Sequence, residues 1–109
     1  MSRSRVEVLV SEGCPNAKLV LEHVRDAIAA ARASGVETLV VRVESHADAA
    51  ALHFLGSPSV RVDGLDVDAS ADGRDDFGLQ CRLYAVDGRF EHAPPVEWIA
   101  SALARRSSP

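Results

Sequence analysis

The chain has 109 residues, 47% of them hydrophobic, and a formal net charge of −4. That is one domain, residues 1–109, long enough to bury its own core. It lacks the basic stripe of a general nucleic-acid binder and the run of roughly 18 uninterrupted apolar residues that a membrane span needs.

Residues 1–5 lead straight into a strand pattern, with no apolar h-region, so a cytosolic protein with two reduced cysteines is expected. Val6, Val8 and Val10 recur with period two and predict the first strand. Gly13-Cys14-Pro15-Asn16-Ala17 follows, and then an apolar stripe at Ala17, Val20, Leu21, Val24, Ile28 and Ala31. The stripe predicts a helix over about 15–34, with Gly35 as its C-terminal cap. In that frame Cys14 is the N-cap and Pro15 the first helical residue. Unpaired N–H groups and the helix dipole make a thiol at that point easier to ionise.

Residues 38–43 are rich in β-branched side chains and read as a buried strand. Ser45-His46-Ala47-Asp48 has the spacing of a capping box, with Asp in place of Glu, and starts a short alanine-rich helix stopping near Leu55 and Gly56. Val60-Arg61-Val62 and 65–67 form two strands around Asp63-Gly64, a strong two-residue hairpin signal. Residues 68–79 form an acidic loop insertion, expected to be solvated. In it Asp68, Ser70, Asp72 and Gly73 match positions one, three, five and six of a calcium-binding loop. The twelfth position, which needs a bidentate glutamate, is Leu79, so no metal is expected.

A further strand is predicted over 80–86, where Leu79, Cys81 and Leu83 alternate onto one face, which favours a core position for Cys81. Asp87-Gly88 marks a turn. Pro94-Pro95 opens a last helix through Trp98, Ile99, Ala102 and Leu103, with Trp98 anchoring it to the sheet, and 105–109 is expected to fray. His23, His46, His53 and His92 are scattered, without metal-ligand spacing. The order strand, helix, strand, helix, strand, strand, insertion with a strand, helix makes an α/β sandwich: a small mixed β-sheet flanked by helices.

Gly13-Cys14-Pro15 after the first strand, Ser57-Pro58 before the third and the terminal helix together resemble the thioredoxin-like superfamily. The run Gly56-Ser57-Pro58-Ser59-Val60-Arg61-Val62-Asp63-Gly64, with Cys81-Arg82-Leu83-Tyr84 downstream, is similar to a small bacterial thioredoxin-like group associated with alkylmercury lyases, whose own reaction is not carried over. The resemblance implies a cis Pro58 and a Ser57 backbone available to pair with a bound thiol substrate. It also suggests buried acids near the thiol, for which Asp66 and Glu7 are candidates that spacing does not separate.

The departure is at Ala17, where a dithiol member has its second cysteine. Exchange between adjacent thiols is excluded. What remains is one-thiol chemistry at Cys14, or a pair formed with the distant Cys81 as resolving thiol. The expected substrate-docking residues are Pro15, Ser57 and Pro58. The expected partners are protein or small-molecule thiols and disulfides, glutathione among them, with no cofactor, nucleic acid or membrane. Two other readings stand beside this one: a thiolate binder of a soft metal such as mercury or copper, and an interaction module without thiol chemistry.

Overall fold

The computed structural model describes residues 4–107. Strand β1 (Arg5–Ser11) leads through a short loop into helix α1 (Ala17–Ala30). The chain returns in β2 (Glu37–Val43), enters the short helix α2 (His46–Leu52) and comes back in β3 (Ser59–Val62). A tight hairpin gives β4 (Leu65–Asp66). After the insertion, β5 (Tyr84–Val86) and β6 (Arg89–Glu91) form a separate two-stranded sheet, and α3 (Val96–Ser107) closes the described chain.

The main sheet has the order β2-β1-β3-β4. β1 and β2 run parallel, joined by the α1 crossover, while β3 is antiparallel to both β1 and β4. Successive side chains along β1 face opposite ways, and the two faces bury different partners. Val6, Val8 and Val10 join Val60 and Val62 in a cluster with Val20, Val24 and Ala27 of α1 and Ile99, Ala102 and Leu103 of α3. Leu9 packs on the other side with Val43, Ala49 and Phe54, under α2. This is a mixed α/β protein with a four-stranded sheet and helices on both faces.

Two local expectations hold in detail. Ser45 Oγ accepts the Asp48 N–H at 3.0 Å and caps α2. Asp63 and Gly64 have φ of 50° and 87°, the two positive values that a tight hairpin matching the strand twist requires. At the far end of α2, Arg61 of β3 donates to the carbonyls of Leu52 and His53 at 2.7 and 2.9 Å, and so closes the helix C-terminus with a cation.

Others need correction. Helix α1 stops at Ala30, before the expected Ser34, because Arg32 turns left-handed at φ 52°. Its N–H bonds to the Ala29 carbonyl and the Ala33 N–H to the Ile28 carbonyl, a Schellman closure made without glycine. Helix α2 likewise ends early, at a left-handed His53. Strand β2 is no buried strand. It is the sheet edge, with Val40 54% exposed and only Val43 buried. Of the predicted 80–86 strand, only Tyr84–Val86 is regular strand, and residues 105–107 continue α3 rather than fraying. Residues 108 and 109 of the expected tail lie outside the described residues.

Candidate functional site

Cys14 lies in the loop between β1 and α1, half-buried against the main apolar cluster. Its N–H bonds to the Ser11 carbonyl at 3.3 Å, and its own carbonyl accepts the Ala17 N–H at 3.4 Å. That turn corrects the expected position. The N-cap is Asn16, which makes no side-chain capping bond, and α1 begins at Ala17. Cys14 is therefore two residues ahead of the cap. Pro15 is exposed and precedes the cap instead of opening the helix.

Ser57 and Pro58 are both buried at the same end of the sheet, and the peptide bond between them is cis. Leu9 pairs with Ser59, and continuing that antiparallel register brings Ser11 opposite Ser57. The contact there runs through a side chain: Ser57 Oγ accepts the Ser11 N–H at 3.0 Å. Ser11 is thus bonded to Cys14 through its carbonyl and to Ser57 through its N–H.

The Ser57 backbone is not available to a substrate, contrary to the expectation. Its N–H bonds to the Gln80 carbonyl at 2.8 Å, and its carbonyl accepts the Arg82 N–H at 3.1 Å. Those two bonds make a parallel bridge between Ser57 and Cys81. Cys81 is exposed rather than a core residue. Over 81–84 the alternation holds in the opposite phase, with Leu83 facing solvent and Arg82 and Tyr84 pointing inward. Leu79, by contrast, packs against the Leu9 cluster as expected, and Gln80 is exposed.

The inward phase is set by polar partners. The Arg82 side chain is 1% exposed, and its two terminal nitrogens grip Asp66 at 2.7 and 2.9 Å. Arg82 also donates to Ser59 Oγ at 2.9 Å and lies 4.5 Å above the Tyr84 ring, with Asp68 at 3.7 Å. Its Nε is buried without a hydrogen-bond partner. Burial works against the guanidinium charge, but the Asp66 hydrogen bonds and the surrounding groups outweigh it and hold the arginine pKa above its ordinary value. The Tyr84 hydroxyl donates to the Pro58 carbonyl at 2.6 Å, and burial pushes the phenol pKa up. Tyr84 also meets Trp98 of α3 edge to face, with ring centroids 6.2 Å apart.

The insertion is more ordered than expected. A single 3-10 turn spans Ala69–Ala71, Asp68 and Ala71 are buried, and Asp68 Oδ1 accepts both the N–H and the hydroxyl of Ser70. The residues that matched a calcium loop thus build a turn. Asp66 is engaged with Arg82, and Glu7 is half-buried on β1. His23 Nδ1 donates to the Pro94 carbonyl at 2.8 Å, and His53 stacks on Phe77 at 4.6 Å. Among the described residues no three His, Cys, Asp or Glu side chains gather as a metal site, and no helix is long and apolar enough to cross a membrane. An open groove of about 770 Å³ lies beside Leu52, Asp68 and Phe77, and neither cysteine lines it.

Sequence reasoning missed Arg82, Asp66, Tyr84 and Gln80 as a unit. A signal was present: Gln80, Arg82 and Tyr84 share one phase of the alternation, and Asp66 and Asp68 share another. Comparison with protein-family models, with characterised proteins and with solved structures gives no match to this chain.

Proposed function

We propose that this is a thioredoxin-like domain whose Cys14 exchanges with thiols and disulfides through mixed disulfides. The fold half of that reading is supported by the order β2-β1-β3-β4 with β3 antiparallel, α1 and α3 on one face and α2 on the other. The chemical half rests on one observation. A continuous chain of contacts from Cys14 to Ser11, Ser57 and Cys81 puts both cysteines of the protein at the same end of the sheet.

In the exchange, the Cys14 thiolate attacks a disulfide R–S–S–R. A Cys14–S–S–R bond forms, the original S–S bond breaks, and RS⁻ leaves with the electron pair. Cys81 then attacks the Cys14 sulfur, expels the second RS⁻ and leaves a Cys14–Cys81 disulfide. The substrate disulfide is reduced to two thiols and the protein dithiol is oxidised. This second step requires the two Cα atoms to come within about 4.4–6.8 Å of each other.

The test is incubation with oxidised glutathione and mass measurement of the intact protein. The Cys81→Ser variant accumulates one glutathione adduct on Cys14; wild-type protein passes through that adduct to an internal disulfide. If the Cys81→Ser protein gains no adduct, Cys14 is not an exchanging thiol. If the wild type stops at the adduct, Cys81 is not the resolving group.

A further inference from the structure

The edge of the sheet beside the candidate site is occupied by the protein itself. An extended polypeptide docks on a sheet by bonding to the free N–H and C=O groups of an edge residue. At Ser57 both groups are already used, by the Gln80 carbonyl and the Arg82 N–H.

Four further features hold residues 78–82 in that place. The Gly78 N–H bonds to the Phe54 carbonyl at 2.9 Å. The Gln80 side-chain amide donates to the carbonyls of Leu55 and Asp76 at 3.1 and 2.8 Å. Arg82 is clamped by Asp66 and Ser59. Gly56, at φ 125°, lies so close beneath that a Cβ there would sit 2.9 Å from Arg82 Cβ and 3.0 Å from the Gln80 oxygen. A gap that tight admits no other chain.

We infer that residues 78–82 are a built-in edge segment, joined to the sheet edge by the single bridge at Ser57, that fixes the substrate class: Cys14 exchanges with small-molecule disulfides and gains nothing from an extended peptide around the disulfide. The inference rests on the reading of Cys14 as the exchanging thiol. The specificity determinants are Gln80 and Arg82, which contribute backbone groups to the edge and side chains to its anchorage. The step is the one already written, with the small disulfide as oxidant and its thiolate as leaving group.

The experiment uses full-length protein carrying Cys81→Ser and two probes with one leaving group: glutathione and an unstructured peptide, each capped on its cysteine as a thionitrobenzoate disulfide. Thionitrobenzoate release gives the rate, and each rate is divided by that of N-acetylcysteine with the same probe. The expected result is a peptide rate no higher than the glutathione rate. Gln80→Ala, which loosens the segment without touching the apolar core, then raises the peptide rate alone, by about tenfold if one net hydrogen bond to the edge is gained. A peptide faster than glutathione in the unloosened protein overturns the inference.

Amide hydrogen exchange supplies an arm independent of Cys14. The Ser57 and Arg82 N–H groups exchange slowly if the edge is closed, and exchange at open-loop rates would overturn closure. Release from neither probe sinks the thiol reading and the substrate class with it, while the exchange arm still decides whether the edge is closed.

Discussion

The layer between the sheet and helices α1 and α3 is held by Val8, Val60, Val24, Ile99 and Leu103, with no polar atom needed to hold it. In the corner where residues 80–84 meet β3, Arg82, Ser59 and Tyr84 are buried as deeply, but they are held by polar contacts that include the half-buried Asp66. The first region is indifferent to small shifts, because apolar packing is non-directional and scales with area. The second tolerates less, because its buried polar groups, Arg82 Nε apart, are held by partners at bonding distance. That difference explains why the corner can hold Cys81 and Gln80 in one register against Ser57, a task to which directional bonds are suited.

The largest way to break this contrast is Arg82→Met. It keeps the stem over Tyr84 but leaves the half-buried Asp66 and the buried Asp68 without their cation. The expected loss is about 3–5 kcal/mol in denaturant unfolding, as for breaking one side of a buried pair. A loss under about 1 kcal/mol would show the corner to be wet and the ion pair screened, in the range of exposed pairs.

Ile99→Ala tests the apolar layer. Truncation of a fully buried isoleucine there is expected to cost about 2–5 kcal/mol, with the adduct on Cys14 in the Cys81→Ser protein still forming once folded.

Tyr84→Phe gives the smallest effect and the sharpest signature. It leaves the buried Pro58 carbonyl without its donor, for an expected loss of about 1–3 kcal/mol near neutral pH. It also changes the alkaline limb. The folded phenol pKa is raised by burial, so above about pH 10 the unfolded chain releases a proton that the folded one keeps. Stability therefore falls as pH rises through that range in wild-type protein. Unfolding titrations should find the fall reduced in Tyr84→Phe; an unchanged slope would mean the phenol is not buried.

The parts legible in the sequence were those whose cause is local. Val6, Val8 and Val10 mark β1 by alternation, Asp63-Gly64 marks the hairpin by its positive φ requirement, and Ser45 marks α2 by capping. The parts that were not legible depend on what arrives from elsewhere in the chain. Residues 38–43 have a core strand's composition, but the sheet order makes them an edge. The α1 stripe runs on to Ala31, yet Arg32 closes the helix through carbonyls of the preceding turn.

By itself the sequence determined the order of elements from β1 to β4, the mixed sheet with its hairpin, the closing helix, and a cysteine between the first strand and the first helix. Those follow from side-chain period, turn chemistry and chain connectivity. Sequence reasoning missed β6 and its separate sheet with β5, and it put that cysteine at the helix N-cap. Only the tertiary structure decided that Cys81 faces outward beside Ser57 while Arg82 faces inward. Both phases of 79–84 carry apolar residues, so alternation alone cannot choose between them. The choice belongs to Asp66, 16 residues away in sequence, which offers the buried guanidinium the charge it must have.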